Sequence, residues 1–144
     1  MKIALIVPAY HPTGDMIPML ERFLAHPEFV PVVVNDGSGP EYDAIFAQVP
    51  QQCILLQHEV NRGKGAALKT AIGYVLDHLP ECELAVTADA DGQHAYKDIL
   101  RVVETARTHP HTLVLGSRAF DGNVPFRSRF GNGVTRQVLP SPAA

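Results

Sequence analysis

Short apolar runs alternate along this chain with longer segments in which apolar residues recur every three or four positions. The short runs are rich in β-branched residues and contain few polar positions, as is typical of strands covered on both faces of a sheet. They predict strands at residues 3–7, 30–34, 53–57, 84–88 and 112–115. The alternation predicts repeated βα units and therefore an α/β fold with a mostly parallel sheet and helices on both faces.

The segments between the strands predict helices. The clearest covers residues 65–79, and its apolar stripe consists of Leu68, Ala71, Ile72, Val75, Leu76 and Leu79. Asp15 is predicted to cap a helix that runs to Ala25. Two further helices are predicted at residues 41–49 and 96–108.

Composition fits one compact domain. The chain has 144 residues, of which 46% are apolar, so it can build a core. Its net charge of −3 provides no basic surface and argues against nucleic acid as a partner. No apolar run approaches the roughly 20 residues that cross a bilayer. Cys53 and Cys82 lack metal-ligand spacing, and we expect buried or half-buried reduced thiols, as in a cytoplasmic protein, in preference to a disulfide.

Polar segments follow four of the predicted strands. In a parallel sheet the carboxyl ends of the strands lie at one edge, where ligands bind. The segments are Pro8-Ala9-Tyr10, Asn35-Asp36-Gly37-Ser38, Ala88-Asp89-Ala90-Asp91 and Gly116-Ser117-Arg118. They predict a binding site at this edge.

Asp89, Asp91 and Gln93 are spaced two apart directly after a predicted strand. If the chain stays extended there, their side chains project from one face. Two carboxylates and an amide oxygen suit Mg²⁺ or Mn²⁺, which prefer oxygen ligands and keep places for water and substrate phosphate. The alternative is an ordinary turn, since Asp-Gly is a common turn pair.

Three further segments are candidates for ligand contacts. In residues 35–39, Asp36 can accept hydrogen bonds from a base or a ribose, although a plain strand-to-helix turn has the same composition. In residues 61–65, backbone N–H groups at a helix start join Arg62 and Lys64 in a corner that attracts anions, or form a glycine-rich helix entry. Arg118, Arg127 and Arg129 can grip phosphate or can be solvated loop residues.

Taken in order, the segments at residues 7–10, 34–38, 61–68, 88–94 and 116–118 resemble the family 2 glycosyltransferases of the GT-A fold. The likeness is greatest to the dolichyl- or polyprenyl-phosphate sugar synthases and covers residues 3–136. It implies a GT-A nucleotide-sugar-binding domain over residues 1–136, followed by an irregular tail at 137–144. Two positions depart from the family pattern: Pro12 stands where an acidic residue is common, and Asn35 stands where many members have aspartate.

The resemblance also implies roles for individual residues. Pro8, Tyr10 and Asp36 would hold the uracil or guanine base with Lys64 nearby, and Asp89 would contact the nucleotide through the cation. Asp89, Asp91 and Gln93 would bind that Mg²⁺ or Mn²⁺, so that Asp91 serves catalysis. Arg118 would serve catalysis by facing the transferred group, and Arg127 and Arg129 would face the acceptor phosphate.

The implied reaction is an inverting transfer of sugar from a UDP- or GDP-sugar to an acceptor. A saccharide hydroxyl needs a general base. After Gly92 the carboxylates are Asp98 and Glu104, both on a predicted helix, and Asp121 in a loop. A polyprenyl phosphate is already an anion and needs cationic guides instead, so we expect this acceptor, with the enzyme in the cytoplasm at the inner face of the membrane.

Family members continue well past the Gly-Ser-Arg strand, often into membrane spans. We therefore expect a C-terminally truncated transferase in which donor binding is kept and turnover is doubtful. Two alternatives remain. A non-catalytic nucleotide-sugar-binding module fits the same motifs, whereas a sugar-1-phosphate nucleotidyltransferase needs a glycine-rich loop where this chain has residues 8–12.

Overall fold

The computed structural model describes residues 2–91, 96–107 and 113–115, and its strands are all parallel. The strands are β1 (Lys2–Ala9), β2 (Phe29–Asp36), β3 (Ile54–His58), β4 (Cys82–Thr87) and β5 (Leu113–Leu115). The α-helices are α1 (Met16–Leu24), α2 (Asp43–Phe46), α3 (Lys64–His78) and α4 (Tyr96–Arg107), and a short 3₁₀ turn covers Pro40–Tyr42.

The described strands form one sheet in the order β3-β2-β1-β4-β5. The α/β fold with a parallel sheet is therefore confirmed. The chain first builds outward from β1 through β2 to β3, and then returns to the other side of β1 for β4 and β5. This reversal opens a crevice between the carboxyl ends of β1 and β4, which is where open α/β sheets bind ligands.

The sheet has an apolar core on each face, and successive residues of β1 point into alternate cores. The core shared with α1 and α4 includes Ile3, Leu5, Val7, Leu20, Phe23, Val33, Val86, Ile99 and Val103. The core shared with α3 includes Ala4, Ile6, Val32, Val34, Ala67, Ala71 and Val75. Since both faces are covered, the strands carry no polar alternation, and the strand ends remain for ligand contact.

The buried face of α3 differs from the predicted stripe. Ala67, Ala71 and Val75 face the sheet, whereas Leu76 is 43% exposed. Leu76 lies about 140° around the helix from Ala71, since each residue advances about 100°. The small side chains of the alanines let the helix backbone approach the sheet closely, and the larger Leu68 and Ile72 pack at its sides.

Two predicted helices also differ in detail. Asp15 occupies the N-cap position of α1, but its side chain makes no capping bond, and its own N–H donates to Thr13 Oγ1 at 3.3 Å. The predicted capping role of Asp15 is therefore wrong, because its backbone is already helical. The segment at residues 41–49 forms a 3₁₀ turn and the one-turn α2 instead of a continuous helix.

Within the described ranges, no helix has the length and apolar character needed to cross a membrane. Cys53 and Cys82 are both free and buried, as predicted. Burial raises the pKa of each thiol to about 11, and Glu81 adds to this effect at Cys82.

We therefore expect both thiols to resist modification in the folded protein. A pKa of about 11 leaves very little reactive thiolate at pH 8. Titration with a chromogenic disulfide reagent should show slow reaction of both cysteines in buffer and rapid reaction in denaturant. Rapid reaction of either thiol in the native protein would contradict their buried placement.

Candidate functional site

A cleft of about 350 Å³ lies at the carboxyl edge of the sheet, at the point where the strand order reverses. Its lining comes from the ends of three strands and the start of α3. The lining residues are Pro8, Ala9, Tyr10, His11, Pro12, Thr13, Asp36, Asn61, Lys64, Asp89, Ala90 and Asp91. The structure thus brings the predicted residues Pro8, Tyr10, Asp36, Lys64, Asp89 and Asp91 to one place.

An aromatic stack stands at the rim of this cleft. Tyr10 is 51% exposed, and its ring stacks on His11 with centroids 3.8 Å apart. His11 in turn stacks on Tyr42 at 4.6 Å. The backbone of His11 has φ of 52°, uncommon outside glycine, and its N–H donates to Ser38 Oγ at 3.0 Å. One face of Tyr10 is therefore braced by protein at the mouth of the cleft.

Asp36 is a buried carboxylate of the site with several hydrogen-bond donors. It ends β2 and is only 3% exposed. Oδ1 accepts from His58 Nδ1 at 2.8 Å and from the N–H of Arg62 at 2.9 Å. Oδ2 accepts from the N–H of Gly63 at 3.0 Å and from Asn61 Nδ2 at 3.3 Å. Each carboxylate oxygen thus has two protein donors, which fills its usual capacity.

These bonds also set the ionisation of Asp36. Burial alone would raise the pKa of the carboxyl, because it disfavours the charged form. Hydrogen bonds from the Arg62 N–H, His58 and the Gly63 N–H outweigh burial, and attraction to His58 adds to them, so the pKa lies below its ordinary value. Asp36 is therefore an anion at neutral pH, held by donors that point at its charge.

The same bonds change the interpretation of residues 61–65. The sequence suggested that backbone N–H groups here attract a ligand anion. The N–H groups of Arg62 and Gly63 instead donate to Asp36. For these two N–H groups the prediction is wrong, because the carboxylate of Asp36 occupies them. The rest of that prediction stays a prediction.

Gly37 permits the loop after β2 to touch the loop after β3. Its φ is 66°, and a Cβ built on it would lie 2.2 Å from Asn61 N and from Val60 C. Nearby, Asn35 Oδ1 accepts from the N–H of Ser38 at 3.1 Å. Asn35, where the family pattern often has aspartate, thus supplies a turn-closing acceptor that either residue type provides.

The side chain of Lys64, the first residue of α3, reaches Asp89 in the segment after β4. Its Nζ lies 3.1 Å from Asp89 Oδ1, with the lysine side chain 57% exposed and the aspartate 19% exposed. An ion pair this open to water contributes little to stability. Its consequence is local: the ammonium lies at one of the carboxylates predicted to bind a divalent cation.

The chain turns after β4 and does not stay extended. β4 ends at Thr87, and Ala90 and Asp91 lie in a turn. The premise that alternate side chains project from an extended strand is therefore wrong. Asp89 and Asp91 nevertheless both line the cleft, because the turn curves around its edge.

The carboxylate oxygens of Asp89 and Asp91 suit a hard divalent cation that is also held by phosphate oxygens of a bound molecule. Within the described part of the chain, no cluster of three or more His, Cys, Asp or Glu residues forms a complete metal cage. Asp89 and Asp91 offer carboxylate oxygens on one cleft, and Mg²⁺ or Mn²⁺ commonly takes one or two carboxylates together with phosphate oxygens and water. The prediction of Mg²⁺ or Mn²⁺ is consistent with these donors and stays a prediction.

Several predicted residues lie outside the described ranges. They are Gln93, Arg118, Arg127 and Arg129. Conversely, His58 and the role of Asn61 were not predicted from the sequence, although both side chains contact Asp36. His58 ends β3 and lies beside Asp36 in the register of the two strands, so the carboxyl end of β3 was the signal that could have identified it.

The chain matches a known protein family along most of its length. Residues 4–141 match the family described as glycosyl transferase family 2. This chain belongs to that family. The match includes every residue that lines the cleft.

The chain is also similar to several curated proteins. The chain is similar to an uncharacterised protein of Methanocaldococcus jannaschii, 37% identical over 70% of this chain and 42% of the relative. It is similar to a UDP-N-acetylglucosamine–dolichyl-phosphate N-acetylglucosaminyltransferase of Methanococcus voltae, 28% identical over 90% of this chain and 59% of the relative. A dolichyl-phosphate beta-glucosyltransferase of Trichomonas vaginalis is 30% identical over 79% of this chain and 37% of the relative. The chain thus matches between 37% and 59% of the length of these three proteins.

Substitution of Gly37 tests the contact between the two loops. Gly37→Ala places a Cβ 2.2 Å from the backbone of Val60 and Asn61 and requires a left-handed backbone, which costs about 1–2 kcal/mol for an L-residue. We expect the free energy of unfolding in urea to fall by at least about that much.

Gly14→Ala is the matched control, because nothing lies within 4 Å of the added Cβ and its φ is not positive. We expect its free energy of unfolding to lie within about 0.5 kcal/mol of the wild-type value. Equal stability of the two alanine variants would contradict the close approach at Gly37.

Proposed function

We propose that this protein takes part in the transfer of a sugar from a UDP- or GDP-sugar to a polyprenyl phosphate. The observation that carries the proposal is the single cleft that unites Tyr10, Lys64 and the Asp89–Asp91 turn at the topological switch point. Membership of glycosyl transferase family 2 supports it. The names of two relatives, both dolichyl-phosphate glycosyltransferases, support a lipid-phosphate acceptor.

The nucleotide base binds beside the end of β1 in this proposal. Tyr10 offers an exposed aromatic ring that His11 and Tyr42 hold in place, and a base can stack on such a ring. Pro8 lines the same wall. Asp36 reaches the cleft wall with its carboxylate already engaged, so it shapes the base pocket chiefly through the loops that it holds.

The diphosphate of the donor lies near Asp89 and Asp91. A diphosphate and two carboxylates repel each other, so they share a cleft only when a cation lies between them. We propose that Asp89 and Asp91 hold Mg²⁺ or Mn²⁺, with Gln93 as the further predicted ligand. When bound, this ion stabilises the negative charge that develops on the departing nucleoside diphosphate.

Lys64 contributes the second positive charge on this wall. Its ammonium lies against Asp89. A cation bound by Asp89 competes with this contact and frees Lys64 to meet a phosphate oxygen instead. The lysine therefore offsets part of the negative charge that Asp89 brings to the cleft.

A phosphate acceptor removes the need for a general base. Its oxygen is already anionic at neutral pH, whereas a saccharide hydroxyl must lose a proton during attack. Arg118, Arg127 and Arg129 are the proposed guides for the transferred group and the acceptor phosphate, since guanidinium groups bind phosphate in a bidentate manner. A lipid acceptor also places the reaction at a membrane surface, and we propose its cytoplasmic face.

Donor binding in the presence of manganese is the direct test. With UDP and GDP as probes, we expect one of them to bind wild type by titration calorimetry and to require Mn²⁺ or Mg²⁺. Asp89→Asn and Asp91→Asn should each weaken binding by about 10-fold or more, since about 1.4 kcal/mol of binding free energy corresponds to tenfold. Saturating nucleotide at 100 times its dissociation constant should add about 2.7 kcal/mol to the stability of wild type.

Asp77→Asn is the matched control. It makes the same change of carboxylate to amide on an exposed residue near the far end of α3, about 20 Å along the helix from Lys64. It should bind nucleotide like wild type. No metal-dependent binding of either nucleotide to wild type, or equal affinities in all three variants, would overturn the proposal.

A further inference from the structure

His58 is a buried histidine that uses both ring nitrogens. It is 9% exposed at the end of β3. Nδ1 lies 2.8 Å from Asp36 Oδ1, and Nε2 lies 2.8 Å from Thr70 Oγ1 on α3. The ring therefore joins the edge of the sheet to the second turn of the helix that begins at the cleft.

The short segment between β3 and α3 depends on the same carboxylate. Asn61, Arg62 and Gly63 are three consecutive residues outside any helix or strand, and each donates to Asp36. Gly63 directly precedes Lys64, whose ammonium meets Asp89. The orientation of the Asp36 carboxylate thus determines where α3 begins and from which point Lys64 reaches across the cleft.

His58 acts on the cleft from behind its wall. Among the described residues, Asp36, Asn61 and Lys64 line the cleft, and His58 does not. A carboxylate, an imidazole and a hydroxyl in series are also the parts of a nucleophilic relay. Thr70 belongs to the packed helix and is likewise not part of the lining, so its hydroxyl has no described access to a ligand in this cleft. Positioning is the role that this geometry supports.

We propose that His58 is a positioning residue for nucleotide binding, acting through Asp36 on the backbone of residues 61–63 and hence on Lys64. This inference rests on the proposed donor site. Without the imidazole, the buried carboxylate of Asp36 loses its side-chain donor from β3 and can rotate towards water. The N–H groups of Arg62 and Gly63 then lose the acceptor that orders them.

Two substitutions separate the two ring nitrogens. His58→Leu removes both hydrogen bonds, whereas His58→Asn keeps an amide N–H close to the position of Nδ1 and loses only the contact with Thr70. We expect His58→Leu to raise the Kd for UDP or GDP in Mn²⁺ by about 10-fold or more, as loss of a hydrogen bond to a charged group implies. His58→Asn and Thr70→Val should stay within about 3-fold of wild type.

Val75→Ala controls for general destabilisation. Val75 is 2% exposed on α3 and lies far from the cleft, so its truncation loosens the helix packing while residues 61–64 keep their partners. We expect Val75→Ala to bind nucleotide like wild type. If His58→Leu loses no more affinity than Val75→Ala, the proposal is wrong.

If His58→Leu does not fold, a comparison of His58→Asn with His58→Gln tests the proposal. Glutamine places its amide near the position of Nε2 and lacks the donor at Nδ1. Equal Kd values for these two variants would overturn the proposal.

A second measurement does not depend on nucleotide binding. Hydrogen exchange by NMR should show that the amides of Arg62 and Gly63 lose about 10-fold of their protection in His58→Leu and keep it in Val75→Ala. Unchanged protection would reject the positioning role. If protection changes in His58→Leu while wild type binds neither UDP nor GDP, the contact network is upheld and the proposed function is rejected.

Discussion

A buried carboxylate is stable only when donors replace the water that it loses, and this constraint at Asp36 organises the whole cleft. The donors come from the end of β3 and from three consecutive residues of the loop before α3. Because those residues are already committed to Asp36, the loop has one favoured shape. Gly37 completes the arrangement, since only a residue without Cβ lets the two loops touch.

The sheet determines where this network acts. Reversal of strand order beside β1 opens the crevice, and the two covered faces leave the carboxyl edge as the place for polar groups. The Asp36 network forms one wall, Tyr10 the rim, and the turn at Asp89–Asp91 the opposite wall. Lys64 links the two walls. The proposed donor site therefore combines a rigid base pocket with a charged wall that a cation can rearrange.

The repeating pattern of apolar residues was sufficient to predict the strand series and the parallel sheet, because burial on both faces leaves a strong signal in each strand. The segments that line the cleft, such as those with Tyr10 and Asp89, could be found from their places after strands. The hydrogen-bond partners of Asp36 could not be predicted in this way. Whether Asp36 contacts a ligand or His58 depends on the register of β2 against β3. If the predicted register is wrong by one residue, His58 no longer lies beside Asp36. The exposure of Leu76 was missed for a similar reason, since packing of the small Ala67 and Ala71 decides how α3 is rotated.

A crystal structure with Mn²⁺ and the nucleoside diphosphate that binds would test the central claim, that a pre-organised Asp36 network presents a metal-dependent donor cleft. The account predicts anomalous manganese density between Asp89, Asp91 and the diphosphate, with Lys64 released from Asp89. It also predicts that Asp36 keeps its bonds to Arg62, Gly63 and His58. Nucleotide bound away from this cleft, or an Asp36 carboxylate that turns from its loop to the base, would contradict it.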